Sequence, residues 1–199
     1  MSRFRVFVTG KFVYLRAVLK LEQLAELLDQ NRAAAAARVK EFSVGDRRFA
    51  FNSQPSIMGV INLSADSWYR ESVCLTTEAA VQRGRILTAQ GADMVDVGAE
   101  STLAHAARVD DAAQNGRLVP VIRELRQAGV LVSVETYSPA VARACLEAGA
   151  NVLNLTGTEG TGELYRQVAA HDAAVIICYV QGRNVREVGD FDFRADPVN

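Results

Sequence analysis

From Ile57 onward, apolar residues cluster in short, nearly unbroken runs at 57–62, 93–98, 130–135, 151–155 and 174–180, separated by amphipathic stretches. Between the runs, Leu118, Ile122 and Leu125 fall on one helical face, and Val141, Ala144, Cys145 and Ala148 on another. The joints "QGADMVDVG", "AGVLVSVET" and "AGANVLNLT" each place a glycine (Gly91, Gly129, Gly149) where a helix must end in the left-handed conformation before a strand begins. Ser138-Pro139 reads as an N-cap followed by proline at the first helical position. The pattern therefore predicts five strands in strict βα succession.

Strands that are apolar at successive positions need cover on both faces, which is the habit of a parallel sheet between helices. A doubly wound sheet would carry a glycine-rich phosphate turn after its first strand, whereas "VINLSADSW" follows here. The expected class is α/β, a (β/α)8 TIM-barrel type with about the first five βα units present. Five parallel strands leave sheet edges open, so the chain is expected to be a fragment of a longer protein or half of an assembly that completes it.

The first part of the chain has a different pattern. Residues 1–41 read as an N-terminal extension, a short extended segment followed by a helix with Leu21, Leu24, Leu27 and Leu28 at helical spacing. Residues 42–199 form the partial barrel. They begin with "EFSVGDRRFAF", a hairpin signature around Gly45-Asp46 that would make a small lid or plug.

Composition narrows the partners. With 49% hydrophobic residues, 23% charged residues and a net charge of −1, the 199-residue chain can bury a substantial core. Lysine occurs only at 11, 20 and 40, and acidic residues are interspersed among the arginines, so no basic face points to nucleic acid. Charges at Lys11, Arg16 and Lys20 interrupt the opening stretch, and no long apolar run suits a membrane. Cys74 on an exposed loop, Cys145 on a helix core face and Cys178 on a strand are odd in number and widely spaced, which fits neither a disulfide framework nor a zinc site. A reducing, cytoplasmic location is the expectation.

In a barrel of this type the C-terminal strand ends converge on one site. They carry Asn62, Ser64 and Asp66; Asp96, Glu100, Ser101 and Thr102; Ser133, Glu135 and Thr136; Asn154 and Thr156; and Tyr179 and Gln181. Amides, hydroxyls and carboxylates suit a flat heterocycle with several donors and acceptors better than they supply a strong nucleophile. Ser64, Asp66, Ser138 and Thr156 also have a plainer use, capping the next helix. Asn62, Glu135 and Asn154 sit inside apolar strands, where a polar group must find partners, and are the stronger candidates. His105 lies in the loop after the second strand, while His171 closes a helix, where a cation suits the dipole.

Four ordered segments, "IMGVINLSADSW", "GADMVDVGAEST", "VSVETY" and "AGANVLNLTG", resemble the successive strand-end motifs of dihydropteroate synthase. The resemblance implies a transferase of folate biosynthesis that condenses hydroxymethyl-dihydropterin pyrophosphate with p-aminobenzoate. It also implies Mg2+ on the diphosphate and a homodimer. Carried over by position, Asn62 would contact the diphosphate and Mg2+, Thr102 and Asn154 would hold the pterin, and Glu135 would occupy the place of a pterin-binding aspartate.

Several positions depart from the family pattern. Ala65 stands for a proline, Glu71 and Ser72 for two glycines, and Leu103 for an arginine, which removes a bidentate anion contact. Glu135 for aspartate extends the carboxylate by one bond, about 1.5 Å. Asn154-Leu155 replaces Asn-Asp, Cys178-Tyr179 replaces Met-His, and the segments of strands six to eight are absent from these 199 residues. The alternatives are a divergent pterin-binding protein, either a methyltetrahydrofolate-type methyltransferase domain or a non-catalytic paralogue or partner subunit.

Overall fold

The computed structural model describes residues 20–187 together with the backbone of two earlier strands, β1 (Phe4–Val8) and β2 (Lys11–Leu15). The chain divides into two units, Met1–Lys40 and Glu41–Asn199. In the first, β1 pairs antiparallel with β2, followed by α1 (Leu21–Gln30) and α2 (Arg32–Ala36). The extension is thus two strands and two helices rather than one of each. The leucine stripe lies on α1, where all four leucines are exposed.

The second unit opens with the hairpin β3 (Phe42–Val44) and β4 (Arg47–Phe49), turned by Gly45 at a φ of 59°. Strands β5 (Met58–Asn62), β6 (Met94–Gly98), β7 (Val132–Thr136), β8 (Val152–Leu155) and β9 (Ala174–Ile177) then form one parallel sheet in sequence order. The crossovers are α3 (Thr77–Ala89), α4 (Asp111–Gln127), α5 (Pro139–Glu147) and α6 (Thr161–Ala170). Gly91, Gly129 and Gly149 all take positive φ after their helices, as their placement predicted.

Alternation along each strand sorts the side chains onto two faces. Ile61, Val97, Val134 and Leu153 are fully buried against a helical layer that includes Leu118, Ile122, Leu125, Val141, Cys145 and Leu164. Each such side chain contributes about 1.5–3 kcal/mol by leaving water, so this layer fixes the register. The opposite face carries Val60 and Asn62, Asp96, Ser133 and Glu135, and Asn154. Toward the N-terminal ends of the strands the hairpin acts as a plug: Val44 and Phe49 bury with Leu131 and Val152, with Met94 and Ala174 packed alongside. Asp93 ties the strand entry down by accepting from the Ile57 amide at 2.6 Å and pairing with Arg47.

Three details depart from the sequence reading. β9 ends at Ile177 rather than 180, because the chain turns past Cys178 into a loop in which Asn184 pairs with Gly157. The third barrel strand runs one to two residues later than 130–135. Cys74 is buried, not exposed, because its amide donates to the Asn62 carbonyl at 2.9 Å and draws the loop onto the end of β5.

Candidate functional site

Parallel pairing aligns Asn62 with Gly98, Gly98 with Glu135, and Glu135 with Asn154. Three residues singled out from separate motifs therefore form one row across four strands. Gly98 makes the row possible: a Cβ there would approach Glu135 Oε2 to 2.9 Å and Asn62 Oδ1 to 3.7 Å. The missing methyl is the space into which both side chains lean.

One layer below, Asp96 lies beside Ser133. The Ser133 hydroxyl donates to Asp96 Oδ1 at 2.5 Å, and Asn154 Nδ2 donates to Oδ2 at 3.1 Å. Asp96 is buried, and desolvation raises its pKa, partly offset by these two bonds. Desolvation and then the nearby negative charge of Asp96 and Glu100 push Glu135 up to about 7. At the other end, Asn62 Nδ2 donates to Ser72 Oγ at 2.6 Å, and Ser72 in turn donates to the Tyr69 carbonyl at 2.6 Å. Ser72 thus orients the amide, with its oxygen on the Gly98 side. The buried Asp96 and half-buried Glu135 carboxylates together with amide oxygens make an acceptor-rich surface suited to a planar ligand bearing adjacent N–H donors.

The loops above the row are fastened to each other. Ser101 Oγ donates to the Asp66 carbonyl at 3.1 Å, joining the loops after β5 and β6. Glu100 accepts from the Val109 amide at 2.9 Å and from the Tyr137 hydroxyl at 2.5 Å. Thr102 is half-buried and lines the same small hollow as Glu135, Thr136 and Gln114.

The remaining candidates separate clearly. Ser138 caps α5, but α3 is capped by Thr76 and α6 starts at Gly160, so Ser64, Asp66 and Thr156 cap nothing. Ser64 instead accepts from the Asp66 amide at 3.3 Å within its own loop. Tyr179 and Gln181 are exposed and bond to each other at 3.2 Å. His105 is exposed, and His171 closes α6 with Nδ1 at 2.8 Å from the Gln167 carbonyl. Among the described residues, no group of three His, Cys, Asp or Glu side chains could hold a metal ion.

Sequence reasoning gave no role to Tyr137 or Arg186. Arg186 is buried and reaches back to the β6 loop, donating to the Ser101 carbonyl at 3.0 Å. An arginine 85 positions away leaves no periodic signal linking it to that loop.

The family described as "Pterin binding enzyme" matches residues 58–194, which contain all five barrel strands. The chain belongs to the pterin binding enzyme family. It is 33% identical over 140 residues to a dihydropteroate synthase of Streptococcus pyogenes, covering 69% of this chain and 53% of that one. A Yersinia pestis dihydropteroate synthase structure with a sulfonamide drug complex superimposes at a TM-score of 0.64 and 26% identity, over 72% of this chain and 52% of the other. A Burkholderia cenocepacia dihydropteroate synthase complexed with 7,8-dihydropteroate gives 0.62 and 28%, over 77% and 51%. The chain spans about half the length of these relatives. Its five parallel strands are thus the first part of a (β/α)8 fold.

Proposed function

We propose that the chain supplies the pterin-binding half of a dihydropteroate synthase-type transferase, which joins hydroxymethyl-dihydropterin pyrophosphate to p-aminobenzoate. The observation that carries this reading is the Asn62, Glu135 and Asn154 row across Gly98. Glu135 accepts from pterin ring N–H groups, while Asn154, itself fixed on Asp96, offers its amide oxygen beside it. Thr102 closes one side of the ring.

In the reaction, the bond between the pterin methylene carbon and the bridging oxygen breaks, and its electron pair leaves with pyrophosphate. The aryl amine nitrogen then bonds to the methylene carbon and releases a proton. No side chain needs to act as a nucleophile. The negative charges of Asp96 and Glu135 lie on the face that meets the developing cation, a placement that lowers the barrier electrostatically. Binding at neutral pH selects ionised Glu135, because only the carboxylate accepts on both oxygens.

The residues also fit Mg2+ in its usual mode, with few protein ligands and the rest from phosphate and water. Asn62 Oδ1 would be the protein oxygen, fixed by the Ser72 bond to its amide nitrogen. When bound, the ion would neutralise the departing diphosphate. The same reading places the protein in the cytoplasm, where Cys74, Cys145 and Cys178, all free, would stay reduced, and makes it a homodimer as the resemblance implies.

The test is titration of the chain with 6-hydroxymethyl-7,8-dihydropterin by calorimetry. Asn154→Ala should weaken binding by about 1–3 kcal/mol, the cost of leaving buried partners unpaired. Unchanged affinity in that variant would remove Asn154 from the site.

A further inference from the structure

The loop after β9 has a role that the strand-end motifs do not suggest. Residues 182–187 cross the mouth of the sheet and are fastened on both sides. On the β8 side, the Val185 amide donates to the Thr156 carbonyl and the Thr158 amide to the Arg183 carbonyl, both at 2.9 Å. On the β6 side, Arg108 of the loop pairs with Glu187 at 3.0 Å on the exposed rim, and the buried fastening is Arg186. The Arg186 guanidinium donates to the carbonyls of Ser101 at 3.0 Å, Ala107 at 3.4 Å and Ala106, and pairs with Glu100 at 3.4 Å. Both partners of that ion pair are nearly solvent-free, with side-chain exposures of 4% and 8%.

Beneath this crossing, the hollow lined by Thr102, Glu135, Val185 and Arg186 has a volume of only about 10 Å3. That is room for about one water, whereas a small-molecule site needs some hundreds of Å3. A ring cannot reach Glu135 and Thr102 from this side while the crossing is in place.

We infer that residues 182–187 are a strap across the binding mouth and that Arg186 is the pin that holds it shut, ordering the β6 loop and gating access to Glu135. The pin is suited to reversible release. Three of its contacts are to backbone carbonyls of one loop, and its charge partner among the described residues, Glu100, keeps the Val109 amide and the Tyr137 hydroxyl when Arg186 leaves. Arg186 acts through the loop that carries Ser101 and Thr102, so it is a positioning residue. Its meaning for ligand entry rests on the pterin reading of the site; the strap itself does not.

Hydrogen–deuterium exchange on the full chain tests the strap without any ligand, comparing the parent with Arg186→Lys and Arg186→Ala. In Arg186→Ala, amides of 101–109 and 183–187 should exchange at least about tenfold faster, with β6, β7 and β8 unchanged, because several charge-assisted bonds to one loop are lost. Arg186→Lys should fall between, since an ammonium cannot span the same carbonyls as a planar fork. Unchanged exchange in both segments, or acceleration spread evenly through the strands, overturns the strap. If circular dichroism finds Arg186→Ala unfolded, Arg186→Lys and Glu100→Gln are read by the same criteria. Stopped-flow association of 6-hydroxymethyl-7,8-dihydropterin is the second readout. A severalfold faster on-rate in Arg186→Lys supports gating, and an unchanged rate overturns it. Faster loop exchange with no pterin binding in any variant would keep the strap and discard the pterin reading.

Discussion

Glu135 concentrates the chemistry of the site in one carboxylate. Its folded pKa lies near 7, above the ordinary 4.5, because burial and the charges of Asp96 and Glu100 disfavour ionisation. Between those two values the folded state binds more protons than the unfolded state, so stability falls as pH rises through this window. The full loss is about 3 kcal/mol from this group, complete above the folded pKa. The melting temperature of the parent should therefore drop between pH 5 and pH 8, and Glu135→Gln, which cannot ionise, should flatten that drop. A Glu135→Gln variant with the parent's slope would locate the titration elsewhere. Gly98 bears on the same carboxylate from below. Gly98→Ala puts a methyl 2.9 Å from Glu135 Oε2, so the carboxylate must shift. Pterin affinity should fall about tenfold or more by calorimetry, the scale of one misplaced charge-assisted hydrogen bond, while circular dichroism stays that of the parent.

At the scale of elements, the plug and the helical layer set the row's height and register. Phe49 is 1% exposed and reaches the N-terminal strand ends from a three-residue strand. Phe49→Ala should cost about 3–5 kcal/mol and lower the denaturation midpoint in urea without changing the register of β5 to β8. A loss below about 1 kcal/mol would mean that the hairpin does not seal the core. Much of this organisation could be read in the sequence because local rules govern it. The glycines at 91, 129 and 149, the Ser138 cap and the apolar runs each act over a few residues. Asn62, Glu135 and Asn154 were legible because polar groups inside apolar strands must be satisfied. Their alignment was not, since it depends on parallel register and on a glycine in the strand between Asn62 and Glu135. The strap, the burial of Cys74 and the early end of β9 were hidden for a related reason: each follows from contacts between separate segments that leave no periodic trace.

For the whole molecule, the sheet has β5 and β9 as its edges among the described residues, and Ile177 on β9 is 65% exposed. No helix among the described residues is long and apolar enough to cross a membrane. The matched family covers residues 58–194, and the acceptor-rich row lies wholly within that span. On the proposed reading, pterin recognition falls to these five strands; the chain spans about half the length of relatives named dihydropteroate synthase. The most direct test of the central claim is calorimetric titration of the chain with 6-hydroxymethyl-7,8-dihydropterin, alongside Asn154→Ala. The account predicts saturable one-site binding to the parent, weakened at least about fivefold in the variant, the lower end of the cost of an unpaired buried group. Absence of binding to the folded parent, or equal affinity in the variant, would contradict it.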